Sequence, residues 1–224
     1  MSDKLAFSAK KAHATQLRLS RRIVFEDRLP EKIGLVGGVD VAYTGDVSVG
    51  VAVVLEYDSL RLVEAQVAIR KTVFPYVPTL LSFREIPPAM QAIRKLRVRP
   101  DVFLVDGQGF MHPYRCGFAS HLGIVLNMPT IGVAKSRLIG EAECTEAVQV
   151  PMKYKGEVVG AAVTTRKGCR PVYVSVGHMV SLERAVEVVK HCARGCRIPK
   201  PVLEAHRLAA LEKRKINNGI DMKR

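Results

Sequence analysis

Three segments near the start of the chain are rich in apolar and β-branched residues and are separated by short polar turns. They are Val36 to Tyr43, Val47 to Glu56 and Leu62 to Lys71, with turns at Thr44-Gly45-Asp46 and Asp58-Ser59. Strands joined by such short turns pair with their neighbours in opposite directions. The pattern therefore predicts an antiparallel meander of three strands.

Elsewhere, runs with a helical spacing of apolar residues alternate with short, continuous apolar runs. Helices are predicted over residues 6 to 22, 87 to 97, 116 to 126, 181 to 193 and 200 to 212. Strands are predicted over residues 102 to 106, 130 to 133, 146 to 150, 157 to 164 and 171 to 176, with a hairpin turn at Lys155-Gly156. Because helices alternate with strands from residue 102 onwards, the chain is predicted to be α/β with a mixed sheet.

Three local signals refine these helices. Pro87 and Pro88 are expected to open their helix, because proline is tolerated in the first turn. Ser181 is expected to cap the helix that follows it. The basic segment 213 to 224 is expected to be a frayed tail.

Composition points to one basic domain. The 224 residues are 48% hydrophobic, which is enough for a single compact core. Lys and Arg number 35 against 21 Asp and Glu, and the resulting formal charge of +14 favours a nucleic acid or another polyanion as partner. No apolar run approaches the ~18 residues of a membrane span, and the start lacks the apolar core of a secretory signal. We therefore expect a cytoplasmic monomer.

The cysteines support a reducing compartment. There are five of them, without a Cys-x-x-Cys pair. Cys192 and Cys196, with His191 beside them, have poor spacing for a zinc site, and no second ligand pair matches.

Two aspartates stand in apolar strand segments. Asp40 interrupts the first predicted strand, and Asp106 ends a short strand just before Gly107-Gln108-Gly109. An ionised carboxylate among apolar residues is costly to desolvate unless a cation contacts it. If the two strands are neighbours, both carboxylates lie at one end of the sheet, with Glu85 as a third acid. Such oxygen ligands suit Mg²⁺ or Mn²⁺, which polarise phosphoryl groups and activate water.

Each of these residues also has an ordinary structural explanation. A single Asp in a strand more often lies at an edge or in a hydrogen-bonded turn, and Glu85 alone would be a solvated residue. Lys135, directly after a short strand, is either a loop lysine or a cation that stabilises charge on a phosphate. His112 and His206, taken singly, are more often structural or solvated than catalytic. The glycine turn after Asp106 favours the metal-site interpretation.

A rigid aromatic loop precedes Glu85. Tyr76 stands between two prolines in Phe74-Pro75-Tyr76-Val77-Pro78, and since proline fixes φ, the tyrosine should project from a stiff loop. An aromatic side chain beside a phosphate-cutting site suits insertion into a base stack, which lets one base leave the stack. The alternative is a tyrosine packed on its own loop.

Together these residues form a recognisable series of motifs. In chain order they are Gly38 to Tyr43 (GVDVAY), Pro75 to Pro78 (PYVP), Ser82 to Glu85 (SFRE), Val105 to Gly109 (VDGQG), Ala119 to Gly123 (ASHLG), Pro129 to Ser136 (PTIGVAKS) and Ser175 to His178 (SVGH). In this order and spacing they resemble the endonuclease V family, the deoxyinosine 3′-endonucleases, over roughly residues 10 to 210.

The resemblance implies an RNase H-like fold. It also implies DNA repair by Mg²⁺-dependent hydrolysis, with Mn²⁺ as a substitute, of the second phosphodiester bond 3′ to a deaminated base. The products would carry 3′-hydroxyl and 5′-phosphate ends.

The resemblance also implies roles for individual residues. Asp40 and Asp106 would be metal ligands, with Glu85 completing the acidic cluster. Lys135 would be the phosphate-side cation and His206 the late histidine near the attacking water. Tyr76 would fill the gap left by the flipped base. A hypoxanthine pocket built largely from main chain is implied around Leu81, Gly107, Gly109 and Leu138, with Arg84 and His112 as further substrate contacts.

Two positions depart from the family's pattern. In His112-Pro113-Tyr114-Arg115, Tyr114 stands where the family has arginine, which leaves a phosphate contact from this loop open. Thr79 stands where glycine is common, so we expect a tighter edge of the pocket.

Other functions remain compatible with the same residues. The fold also suits a nuclease that cuts junctions or RNA, and inosine in RNA is a further possible substrate. A nucleic-acid binder without catalysis would keep the positive charge but would not need Asp40, Glu85, Asp106 and Lys135 together. Cleavage of inosine-containing strands, compared with matched adenine strands, separates these alternatives.

Overall fold

A computed structural model of the chain describes residues 8–142 and 147–221. These residues form α1 (Ala9–Ser20), β1 (Leu35–Thr44), β2 (Val47–Glu56), β3 (Leu62–Lys71), α2 (Leu81–Ile93), β4 (Val102–Asp106), α3 (Phe118–Leu126), β5 (Thr130–Ala134), β6 (Glu141–Ala142), β7 (Gln149–Tyr154), β8 (Glu157–Val163), β9 (Val172–His178), α4 (Leu182–Cys192) and α5 (Lys200–Asp221). The strands form one mixed sheet in the order β3-β2-β1-β4-β5-β9-β8-β7-β6.

The first three strands form the predicted antiparallel meander. β1 pairs with β2 from Leu35↔Glu56 to Thr44↔Val47, and β2 pairs with β3. Helices cover both faces of β1 and β2. A Cβ at Gly50 would lie 2.2 Å from the Pro88 carbonyl oxygen of α2, and one at Gly38 would lie 2.0 Å from the Pro201 carbonyl oxygen of α5. These two glycines therefore let helix backbones rest directly on opposite faces of the sheet.

The centre of the sheet is parallel. β1 pairs with β4 with Val39 opposite Val105, and β4 pairs with β5 with Asp106 opposite Val133. One residue beyond Val39, the same register places Asp40 beside Asp106. The carboxyl ends of these neighbouring strands therefore meet at one edge of the sheet.

Apolar side chains fill both spaces between the sheet and the helices. On the side of α4 and α5, the buried core includes Val36, Leu104, Ile131, Val174, Val186, Val202 and Ala205. On the side of α2 and α3, it includes Val39, Phe103, Val105, Ala89, Ala119 and Leu122. The site described below lies where these layers end.

The helix predicted at residues 87 to 97 has the wrong bounds. Helix α2 begins at Leu81, so Pro87 and Pro88 lie inside it instead of in its first turn. Proline cannot donate a hydrogen bond to the preceding turn. The main chain of Pro88 packs directly on Gly50 of β2, and this long-range contact is not visible in the local sequence.

The predicted strand at 146 to 150 is displaced. Strand β7 spans Gln149–Tyr154 and contains Pro151, a residue that argues against a strand in a sequence-based prediction. Proline is tolerated here because the outer neighbour of β7 is the two-residue β6, which was not predicted. The hairpin turn at Lys155-Gly156 is confirmed, with φ of +54° and +80° as a type I′ turn requires. Residue 146 lies outside the described residues.

The ends of the first and last helices also differ from prediction. Helix α1 covers Ala9–Ser20, and residues 6 and 7 of its predicted range lie outside the described residues. Helix α5 continues to Asp221, nine residues past its predicted end, through most of the segment expected to be frayed. Lys215 pairs with Glu212 at 2.7 Å, and Asn217 hydrogen bonds Thr44 of β1. These contacts stabilise the added turns, and residues 222 to 224 lie outside the described part.

Candidate active site

Two aspartates and a histidine converge at the carboxyl edge of β1 and β4. One ligand atom from each of Asp40, Asp106 and His206 lies within 4.8 Å of the others. His206 Nδ1, on α5, is 2.8 Å from Asp40 Oδ2 and 3.8 Å from Asp106 Oδ2. Asp40 is only 8% exposed. The predicted proximity of the two aspartates is therefore confirmed.

Lys135 supplies a cation at the same edge. It follows β5 directly, two residues past Val133, the residue opposite Asp106. Its Nζ donates to Asp106 Oδ2 at 2.5 Å and lies 3.5 Å from His206 Nδ1. Arg197 holds the main chain at this point by donating to the Lys135 carbonyl at 2.8 Å. The lysine is therefore part of the acidic site and not a free loop side chain.

Glu85 approaches from α2 but lies outside the 4.8 Å cluster. The side chain is buried, and burial is the main cause that raises its pKa well above the usual range, followed by the charges of Asp40 and Asp106. Burial also raises the pKa of Asp106, as does Asp40, while the hydrogen bond from Lys135 opposes that shift. The three carboxyls thus form a region with excess negative potential, which favours a bound cation.

Arg84 occupies a different position from its neighbour Glu85. Its guanidinium lies 4.2 Å from the ring centre of Tyr43, at the end of β1. The Tyr43 hydroxyl and Arg84 Nε are both buried. Burial, then the charge of Glu85, raises the pKa of Tyr43. Tyr43 was not predicted as a site residue, although it ends the motif that contains Asp40.

A cavity of about 260 Å³ opens beside Glu85 and Asp106. Among the predicted substrate-binding residues, those that line it are Tyr76, Leu81, Gly107, His112 and Leu138. Gly109 and Arg84 are not in its wall. Gly109 instead lies behind it, where its N–H donates to Ser175 Oγ at 2.9 Å and a Cβ would meet the Val176 carbonyl oxygen at 2.2 Å.

Some lining residues were not predicted. They are Val77, Pro78, Ser82, Gln108, Gly117 and Phe118. Ser82 and Gln108 belong to the motifs that contain Glu85 and Asp106, so proximity within a motif was an available signal.

Tyr76 projects from the loop between β3 and α2. Its side chain is 70% exposed, so it is not packed on its own loop, which was the alternative prediction. Thr79, at the far end of this loop, has φ of +70°, a conformation that is strained for a β-branched residue. The position is therefore one that glycine would occupy without strain.

The loop from His112 to Arg115 is held by contacts within the protein. His112 is buried, which lowers its pKa to about 4, and its Nδ1 accepts a hydrogen bond from the Tyr114 N–H at 3.2 Å. Tyr114 stacks on His13 of α1 with ring centres 3.9 Å apart. Arg115 pairs with Glu157 of β8 at 2.7 Å. The arginine is therefore engaged by the β7–β8 hairpin.

The zinc arrangement considered from sequence finds no geometric counterpart in the described part of the chain. His191 Nε2 lies 2.8 Å from the Tyr57 carbonyl oxygen, and its ring stacks on that of Tyr57. Within residues 8–142 and 147–221, the candidate metal-ligand cluster is the one formed by Asp40, Asp106 and His206.

Comparison with known proteins identifies the family. The model of the Endonuclease V family matches residues 17–207. Endonuclease V of Thermofilum pendens is 47% identical over 201 residues, which cover 89% of this chain and 87% of that protein. The chain belongs to the endonuclease V family. It is therefore related to nucleases, as its acidic site suggests.

Solved endonuclease V structures have the same fold. Endonuclease V of Streptomyces avermitilis superposes with a TM-score of 0.89 at 36% identity, covering 97% of this chain and 98% of that one. Endonuclease V of Ciona intestinalis, solved with a 24mer DNA containing an inosine followed by a ribo-adenosine, superposes with a TM-score of 0.84 at 34% identity. That match covers 92% of this chain and 98% of the Ciona chain.

The predicted RNase H-like fold is thereby confirmed. None of the helices in the described residues has the length and apolar character needed to cross a bilayer.

Proposed function

We propose that this endonuclease V homologue is a metal-dependent endodeoxyribonuclease of DNA repair that recognises deoxyinosine. It hydrolyses the second phosphodiester bond 3′ to the lesion and leaves 3′-hydroxyl and 5′-phosphate ends. The observation that carries the proposal is the convergence of Asp40, Asp106 and His206 beside a cavity lined by Tyr76. The Ciona relative solved with inosine-containing DNA supports the choice of substrate.

The residues present fit a divalent metal. Carboxylate oxygens are the ligands that Mg²⁺ and Mn²⁺ prefer, and Asp40 and Asp106 place such oxygens within 4.8 Å of each other. Asp40 and Asp106 would hold the ion, with Glu85 completing its acidic surroundings. The chemistry that such an ion supplies is polarisation of the phosphoryl group and acidification of water.

The remaining polar groups suit the hydrolysis itself. Water adds to phosphorus and gives up a proton, the bond from phosphorus to O3′ breaks, and O3′ takes up a proton from solvent and leaves as a hydroxyl. His206, hydrogen bonded to Asp40, is placed to hold or accept a proton near the attacking water. Lys135, 2.5 Å from Asp106, is placed to stabilise the charge that develops on the scissile phosphate.

The cavity and its loop suit recognition of an extruded base. The exposed ring of Tyr76 is available to stack in the gap that the base leaves. Gly107, Leu81 and Leu138 would contact the base in the cavity, and Gly109 would support the cavity from behind. Burial lowers the pKa of His112 to about 4, so at pH 7 this residue lines the cavity without adding a charge.

The test is cleavage of a strand with one deoxyinosine and of the matched adenine strand, with Mg²⁺ and with chelator. We expect cutting of the inosine strand alone, and only with metal. Equal cutting of both strands would contradict base recognition. Absence of cutting with either strand would support the non-catalytic binder.

Replacement of the aspartates tests their assignment. Asp40→Ala and Asp106→Ala should abolish cleavage while nearly sparing binding to inosine DNA. Asp58→Ala, in the exposed turn at the opposite end of the meander, is the matched control and should cleave normally. If the first two variants do not show the circular dichroism spectrum of the folded protein, those two aspartates are instead structural residues.

A second substrate is inosine in RNA. The DNA in the Ciona complex carries a ribonucleotide directly after the inosine, which is the specific observation that favours this substrate. Comparing cleavage of strands with a deoxyribonucleotide or a ribonucleotide at that position tests it. A single domain, a monomeric state and a cytoplasmic location stay predictions from the sequence.

A further inference from the structure

Helix α1 reaches the cavity wall through one buried side chain, Gln16. Its residue is fully buried, and its Nε2 donates to the Thr79 carbonyl at 2.8 Å and to the Cys116 carbonyl at 3.0 Å. Thr79 ends the loop that carries Tyr76, and Cys116 directly precedes Gly117. Since Thr79 and Gly117 both line the cavity, one side-chain amide ties two separate parts of its wall together.

Thr79 is the strained residue of this wall. A φ of +70° is unfavourable for a residue other than glycine and persists only where surrounding contacts hold it. His13, one turn before Gln16 on α1, places its Nε2 2.9 Å from Thr79 Oγ1. The ring of His112 also hydrogen bonds the Thr79 backbone. The strained conformation is therefore held by His13, Gln16 and His112 together.

The amide of Gln16 has a defined orientation. Both of its partners are backbone carbonyls, and only the NH₂ group can donate to them. Its Oε1 is buried and has no hydrogen-bond partner among the described residues. A buried acceptor without a partner costs stability, so this glutamine is poorly explained as a stabilising residue alone. Its two donated bonds instead relate the Tyr76 loop to the loop before α3.

We propose that Gln16 is a positioning residue for lesion recognition. Its amide keeps the Tyr76 loop and the Cys116–Gly117 segment in the arrangement that forms the base cavity before DNA binds. The inference rests on the proposed function, in which that cavity receives the base. Because Gln16 contacts neither the aspartates nor Lys135, it acts on recognition of the lesion and leaves the hydrolytic groups in place.

Gln16→Met is the informative substitution. Methionine has a similar length, cannot donate to the two carbonyls, and also removes the unpaired Oε1, which limits the loss of stability. Gln91→Met, at an exposed position on α2, is the matched control. Binding is measured in chelator with a strand containing one deoxyinosine and with the matched adenine strand, and cleavage is measured in single-turnover reactions with saturating enzyme and Mg²⁺.

We expect Gln16→Met to weaken binding of the inosine strand by about tenfold, as the loss of two hydrogen bonds of ordinary strength suggests. Binding of the adenine strand should change by less than about twofold and the saturated cleavage rate by less than about threefold, since both readouts use groups that Gln16 does not contact. An equal loss of affinity for both strands, or no loss, would overturn the proposal.

Thr79→Gly provides a rescue that a general loss of stability would not show. Glycine adopts a φ of +70° without strain and retains the carbonyl. If Gln16 acts by holding Thr79, then Gln16→Met should cost less than about threefold in inosine affinity when residue 79 is glycine, which is a measurable coupling between the two sites. The same tenfold loss in both backgrounds would contradict the mechanism.

Two further results separate failure of this proposal from misfolding of the variant and from failure of the proposed function. If Gln16→Met does not fold, His13→Ala removes a half-buried contact to the same residue and should lower inosine affinity selectively; an unselective loss would count against the proposal. Wild-type protein that does not distinguish inosine from adenine would instead overturn the proposed function itself.

Discussion

Asp40→Asn should stabilise the metal-free protein while removing its response to metal. Asparagine preserves the size of the side chain and an oxygen for the Val41 N–H, which donates to Asp40 Oδ1 at 2.8 Å. The ligand atoms of Asp40 and Asp106 lie within 4.8 Å. At an effective dielectric constant of ~20, two unit charges at about this separation repel by roughly 3.5 kcal/mol.

A nearby cation reduces that repulsion. Lys135 contacts Asp106 and offsets much of it, and the hydrogen bond from His206 to Asp40 is altered by the substitution. We therefore expect the free energy of unfolding in chelator to rise by about 1 kcal/mol, well below the gross repulsion. Asp58→Asn, in an exposed turn, is the control and should change little.

Bound metal should make the wild-type protein more stable than Asp40→Asn, which reverses the order expected in chelator. A ligand that binds only the folded state at 100 times its Kd adds about 2.7 kcal/mol, which wild-type protein should gain from Mg²⁺ or Mn²⁺ and the variant should largely lack. The assay is urea denaturation followed by circular dichroism, in chelator and in saturating metal. If wild-type stability does not depend on metal and the variant is less stable in both conditions, Asp40 is a structural residue and the reasoning is refuted.

Further outcomes are expected at four positions. Tyr76→Ala should weaken binding of the inosine strand by ~1–3 kcal/mol in equilibrium titrations, the usual contribution of a stacked aromatic residue, and unchanged affinity would remove its proposed role. At a fixed, subsaturating Mg²⁺ concentration the cleavage rate should rise with pH, because the raised pKa values of Glu85 and Asp106 make protons compete with metal; a rate that falls as these groups ionise would contradict this. Burial lowers the pKa of His121 to about 4 in the folded protein, below its ordinary value of 6.5, so its contribution to stability is present above pH 6.5 and is lost as the pH falls towards 4. Urea titrations at pH 7 and pH 4.5 should show a loss of roughly 2 kcal/mol from this group, which His121→Asn should reduce.

The sequence predicted the centre of the fold well for physical reasons. The bounds of β2, β3 and β4 agree with the prediction, since β-branched runs ended by polar turns define strands without help from distant residues. The convergence of Asp40 and Asp106 followed from placing their strands side by side, and the register of β1 and β4 has that arrangement. A site formed by residues at the ends of neighbouring strands can therefore be predicted from local sequence patterns.

Features that depend on contacts between distant parts of the chain could not be predicted from the local sequence. The start of α2 and the length of α5 depend on packing against Gly50 and on contacts such as that between Asn217 and Thr44. Gln16 gave no signal, because a glutamine in a polar helix is ordinarily exposed. Its importance becomes visible only when the carbonyls of Thr79 and Cys116, 63 and 100 residues away along the chain, are found beside it.

The site combines groups from the sheet with groups from helices, and glycines fix their relative positions. Gly50 lies opposite Val41, the residue after Asp40, and receives Pro88, which is one helical turn from Glu85. Gly38, two residues before Asp40, receives Pro201 at the start of the helix that carries His206. A side chain at either glycine would push a helix away from the sheet and separate its acid or histidine from Asp40. The proline inside α2 and the glycines in β1 and β2 therefore serve one purpose, the close approach of helix-borne groups to the strand-borne carboxylates.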